Sequence, residues 1–163
     1  MIQDSIPLFE PYIGYEEKKA IDCVLESKQL SRGPWVEQFE YEFAAYVGKK
    51  YAIAVNSGTS GLHLCVKAAG WQENDEVITT PYSFIASTNC LLYENITPIF
   101  CDVDPITFNI PYSNIIPKIT AKTRGVLIVD ILGLPAVSKD ISTFCKDHKF
   151  CLLEDACEAV GKT

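Results

Sequence analysis

Five short apolar runs constrain this chain more than any other feature. They are Tyr51–Val55, Glu76–Thr80, Thr97–Cys101, Gly125–Val129 and Phe150–Leu153. Each is too short for a buried helix and rich enough in Val, Ile and Leu for a buried strand. Between them lie segments with helical spacing: Ser57–Ala69 (Leu62, Val66 and Ala69 on one face), Ser83–Tyr93, Tyr112–Ile119 and Lys139–His148. Strands alternating with helices predict an α/β fold, a mostly parallel sheet covered on both faces in three layers, α/β/α. Two helices precede the first run. Tyr15–Ser27 carries Ala20, Ile21, Val24 and Leu25 at helical spacing, and Ser31-Arg32-Gly33-Pro34 breaks it. The next places Val36, Phe39, Phe43 and Val47 on one face and stops at Gly48. The stretch up to Ile13, with Pro7 and Pro11, reads as extended. The expected division is residues 1–33, an extended segment and a helix, and residues 34–163, a partial large domain.

Composition removes several classes. With 163 residues, 48% hydrophobic and 21% charged, the chain is neither disordered nor fibrous. No apolar run reaches membrane-spanning length, and the start has neither the basic flank nor the apolar core of a signal peptide. A formal net charge of −7 disfavours nucleic acid. The seven cysteines are odd in number and form no CxxC pair. They read as small buried hydrophobes in a reducing cytosol, so a cytoplasmic location is expected. His63 and His148 lie far from any cysteine pair, and no metal site is expected.

In open parallel sheets, ligands bind outside the carboxyl ends of the strands. The residues to examine are therefore Asn56–Ser60, Pro81–Phe84, Asp102–Asp104, Asp130–Gly133 and Glu154–Glu158. Asn56-Ser57-Gly58-Thr59-Ser60-Gly61 reads two ways: a helix start capped by Ser57 or Thr59, or an anion cradle of glycine backbone, hydroxyls and free N–H groups. Phe84 can stack on a planar ring, although an isolated Phe more often packs in a core. Asp155 can hold a cationic ring nitrogen by a charge-assisted hydrogen bond. Taken alone, it reads better as a helix cap beside a solvated Glu154. The ending Ala156–Thr163 mimics a relaxed phosphate-binding loop, but it has a single glycine and places Glu158 where phosphate oxygens would lie. That match is rejected.

Together these elements resemble the DegT/DnrJ/EryC1/StrS family of pyridoxal-phosphate-dependent sugar aminotransferases. The resemblance runs from Ile6 to Gly161 on five motifs in order: Leu30–Pro34, Asn56–Leu64, Asp75–Asn89, Pro98–Asp104 and Glu154–Gly161. It implies the N-terminal part of the large domain of fold-type I aminotransferases. Gly58 and Thr59, with Ser57 near, would hold the phosphate of pyridoxal 5′-phosphate. Phe84 would lie against the ring, Asp155 would pair with the ring nitrogen, and Glu158, where the family often has Gln, would lie near the ring hydroxyl. The implied reaction moves an amino group, usually from glutamate, to a keto group of a nucleotide-linked hexose, and active sites between two subunits imply a homodimer. One departure is Asp130 in Val129-Asp130-Ile131-Leu132-Gly133, where the family often has His. The family's Schiff-base lysine lies beyond the Glu-Asp-Ala segment, and its role is not transferred to Lys162, so no catalytic residue is assigned. Inactivity of this chain alone is expected. The alternatives are a sugar dehydratase of the same family, a non-catalytic remnant or a subunit that pairs with a complete relative. A plain nucleotide-binding α/β domain ranks last, since no G-x-G-x-x-G follows the first run.

Overall fold

A computed structural model describes residues 10–161. The first nine residues of the expected extended segment, and Lys162, lie outside the described residues. The chain forms two compact units that meet between Ala54 and Val55.

The first unit is built on two helices, α1 (Tyr15–Ser27) and α2 (Pro34–Tyr46). Glu17 accepts a hydrogen bond from the Gly14 N–H at 2.6 Å and so satisfies one of the free donors at the start of α1. Pro34 opens α2, where a missing N–H costs nothing. Phe39 and Phe43 pair with ring centroids 5.7 Å apart, and Glu40 accepts the Ala54 N–H at 2.8 Å. Ala44 is the only buried residue of these two helices.

The second unit holds a four-stranded parallel sheet with the order β2-β1-β3-β4. The strands are β1 (Glu76–Thr79), β2 (Thr97–Phe100), β3 (Thr123–Val129) and β4 (Cys151–Asp155). Side chains alternate across a strand, and the sequence uses both faces. Ile78, Val126 and Ile128 pack with Ile115, Ile141 and Cys145, which come from α5 (Tyr112–Ile115) and α6 (Lys139–His148). Val77, Leu127 and Val129 pack with Val66, Cys90 and Leu91, which come from α3 (Gly58–Ala69) and α4 (Ala86–Leu92). Helices therefore cover both faces, as the alternating apolar runs predict. Each fully buried Ile or Leu here stabilises the fold by about 1.5–3 kcal/mol.

One strand of the five does not form. Tyr51–Val55 pairs with no strand among the described residues, and Tyr51 and Ile53 are 73% and 78% exposed. An apolar run becomes a strand only when a neighbour takes up its backbone N–H and C=O groups. The cysteines also divide more evenly than expected. Cys90, Cys101 and Cys145 are buried, Cys23 and Cys151 are half-buried, and Cys65 and Cys157 are exposed.

Gly125 is dictated by packing. A Cβ there would lie 2.3 Å from Trp71 Cζ2 and 2.5 Å from the Cys151 carbonyl oxygen. Only a bare backbone lets β3 and β4 run side by side under that indole.

Candidate functional site

The strand order places a switch point between β1 and β3, because the chain runs outward from β1 to β2 and then crosses back to β3. A crevice is expected at the carboxyl ends of those strands, and a cavity of about 530 Å³ lies there. Pro81, Tyr82, Ser83 and Phe84 line it after β1, and Ile131 and Leu132 after β3. Asp155, Cys157 and Glu158 come from the end of β4, while Gly58, Thr59 and Leu62 come from the start of α3. Segments after three of the four strands thus contribute, along with the start of α3. Asp102–Asp104 follows β2 at the far edge of the sheet and is absent from the lining.

Of the six residues singled out in the sequence, Gly58, Thr59, Phe84, Asp155 and Glu158 line this one cavity. Ser57 stands directly before it as the cap of α3, accepting the Ser60 N–H at 3.1 Å. The Gly61 N–H is taken by the Ser57 carbonyl at 3.0 Å. The earliest N–H groups of a helix have no intrahelical acceptor, which leaves those of Gly58 and Thr59 for a ligand. A Cβ at Gly58 would meet nothing nearer than Cys157 Sγ, at 3.5 Å. The space over this residue is therefore open to a bound group. Ser57 caps the helix, and the next two residues line the cavity.

Phe84 does not pack in the core. It is 75% exposed on the cavity wall. Asp155 is only 7% exposed. Its Oδ2 accepts a hydrogen bond from Ser87 Oγ at 2.7 Å, its Oδ1 receives a long contact of 3.4 Å from the Cys157 N–H, and the carboxylate also accepts from the Cys157 thiol. An ionised carboxylate offers about four lone-pair sites, so these donors leave it room for a further one. The Cys157 thiol is pushed up to about 11, first by its hydrogen bond to Asp155 and then by burial. It stays protonated at neutral pH and is no nucleophile.

Glu158 lines the cavity while its Oε2 accepts the Leu132 N–H at 2.7 Å. Asp130, the departure from the expected family pattern, stands between the lining residues Val129 and Ile131 and is not itself in the lining. It is buried, its Oδ1 accepts the Ala136 N–H at 2.8 Å, and its own N–H donates to the Asp155 carbonyl at 3.0 Å. Asn109 assists by accepting the Ile131 N–H at 3.2 Å and donating to the Leu134 carbonyl at 2.9 Å. These bonds fix a turn in which Leu132 and Gly133 adopt left-handed backbone angles. Gly133 is required there, since a Cβ would also lie 2.8 Å from the Glu158 carbonyl oxygen.

The sequence reading named Ser83 only within the Pro81–Phe84 segment, without a role, and it missed Ser87. Among the described residues, no group of three or more His, Cys, Asp or Glu is arranged to hold a metal, and no helix is long and apolar enough to cross a membrane.

Comparison with known proteins bears on this geometry. The model of the DegT/DnrJ/EryC1/StrS aminotransferase family matches residues 11–163. The spore coat polysaccharide biosynthesis protein SpsC of Bacillus subtilis is 41% identical over 158 residues, covering 97% of this chain and 41% of that one. The crystal structure of an aminotransferase from Psychrobacter cryohalolentis superimposes with a TM-score of 0.89 at 37% identity, covering 94% of this chain and 39% of that one. The E. coli GDP-4-keto-6-deoxy-D-mannose-3-dehydratase with bound hydrated PLP gives a TM-score of 0.93 at 32% identity, covering 98% and 42%. The chain therefore spans about two-fifths of the length of these relatives.

Proposed function

Since the chain belongs to the DegT/DnrJ/EryC1/StrS aminotransferase family, we propose that its cavity holds pyridoxal 5′-phosphate. We propose further that the whole protein moves an amino group from glutamate to a keto group of a nucleotide-linked sugar, as a homodimer. The observation that carries this reading is the donor set of one cavity. It offers two N–H groups at a helix start, an exposed aromatic face and a nearly buried carboxylate with room for a further donor. Those groups match a phosphate, a planar ring and a protonated ring nitrogen.

In this reading Gly58 and Thr59 bind the phosphate through their N–H groups, and Ser57 keeps the helix start in place. Phe84 covers one face of the ring and excludes water from it. Asp155 holds the proton on the ring nitrogen through Oδ1. Glu158 lies near the ring hydroxyl while it steadies the turn at Leu132. When bound, the coenzyme supplies an electron sink for bond breaking at the substrate carbon, and the protein supplies orientation and electrostatics.

A second reading, dehydration of a nucleotide-linked keto sugar, has its own support in the dehydratase superposition, whose TM-score exceeds that of the aminotransferase. Both readings share the cofactor. Titration of the chain with pyridoxal phosphate, followed by absorbance, tests that shared step. Saturable binding that Asp155→Ala weakens by at least tenfold is expected, for loss of a charge-assisted bond of about 1.5–3 kcal/mol. Absence of saturation would refute the reading. Product analysis of the whole protein with glutamate and a keto sugar nucleotide separates amination from dehydration.

A further inference from the structure

Ser87 sits on α4 with no exposed surface. Its Oγ lies 2.7 Å from Asp155 Oδ2 and 2.7 Å from Ser83 Oγ. A hydroxyl carries one proton, and an ionised carboxylate can only accept. The Ser87 proton therefore goes to Asp155, and Ser83 must donate to Ser87. The direction of the chain is fixed: from Ser83, which lines the cavity, through Ser87 to the carboxylate.

Resting on the cofactor reading above, we propose that Ser87 is a positioning residue that sets how Asp155 meets a cationic ring nitrogen. Its bond pins the carboxylate rotation by holding Oδ2, and Oδ1, which carries the long Cys157 N–H contact, is the oxygen assigned to the ring nitrogen. A carboxylate held in one rotation keeps its negative oxygen on the ring nitrogen and stabilises the proton there. Without the Ser87 hydroxyl the carboxylate turns more freely and stabilises that proton less. Ser83 reinforces the effect, because a hydroxyl that accepts one hydrogen bond donates a stronger one.

The test uses the full chain, pyridoxal phosphate labelled with ¹⁵N in the ring, and two readouts: the dissociation constant from absorbance and the ring-nitrogen ¹⁵N shift across pH. In the unsubstituted chain the nitrogen is expected to stay protonated through neutral pH. Ser87→Ala should weaken binding by about tenfold, the loss of one hydrogen bond to a charged group, and should move the nitrogen's deprotonation midpoint downward. Ser87→Thr, which restores the hydroxyl, should recover the midpoint. A purely space-filling role for Ser87 would lower the unfolding temperature without moving that midpoint. An unmoved midpoint in folded Ser87→Ala therefore overturns the proposal. If Ser87→Ala does not fold, Ser83→Ala supplies the decision: a smaller downward move supports the relay and no move overturns it. No saturation in the unsubstituted chain removes the cofactor reading and this proposal together. Saturation with an unmoved midpoint removes the proposal alone.

Discussion

Gly125→Ala is the most demanding test of the packing that carries Asp155. The new methyl would lie 2.3 Å from Trp71 Cζ2 and 2.5 Å from the Cys151 carbonyl oxygen. The indole can shift, but the carbonyl belongs to the strand that pairs with Gly125 in register, so relief requires moving β4. Overpacking of this kind costs about 1–3 kcal/mol, and a backbone obstacle argues for the upper half. Against it stands a gain of about 0.4–1 kcal/mol from the stiffer unfolded chain. The balance is a loss of about 2 kcal/mol, which for a chain of this size lowers the unfolding temperature by about 4–8 °C. Urea unfolding followed by circular dichroism should show a lower midpoint with an unchanged slope. Trp71→Leu in the same background should recover part of the loss, because the two sites share a contact and their effects do not add. A variant as stable as the parent would refute the assignment of β3 and β4 as neighbours under Trp71.

The remaining predictions concern the site and the surface. Ser57→Ala should cost about 1 kcal/mol of stability through the lost helix cap, read by urea unfolding. The Cys157 thiol, held up to about 11, should react with iodoacetamide at pH 7.5 far more slowly than that of Cys65, as peptide mass spectrometry would show. Glu94 is held below its ordinary value by hydrogen bonds from Lys67 and then His63. A carboxylate lowered in the folded state adds stability above its unfolded value and loses it as pH falls through the folded one. Glu94→Gln should therefore flatten the acid limb of the stability profile, and an unchanged limb would count against the pairing.

Much of the sheet was legible because its strands advertise their burial. Val77-Ile78 and Val126–Val129 are apolar on both faces, as strands under two helical layers must be. Tyr51–Val55 carries the same signal and forms no strand, because periodicity reports which side chains want burial and not which backbone will pair with them. The Ser57–Thr59 helix start and the carboxylate at the tip of β4 were legible as candidates from their place at strand ends, whereas the roles expected of them came from the family resemblance. Ser87 was hidden because its partner lies 68 residues away in sequence. Asp130 was visible as a departure, but its work is holding a turn through the Ala136 N–H, a bond that no local pattern announces.

The left-handed turn at Leu132 and Gly133 gives the cavity a wall that belongs to no long regular element. Leu132 is largely exposed on a short irregular segment, whereas Asp155 and Gly58 stand at the ends of regular elements. New guests could be admitted by exchanging one marginal side chain while the anchored groups stay as they are. In such an architecture, tastes can diversify at the doorway long before the foundation has to be relaid.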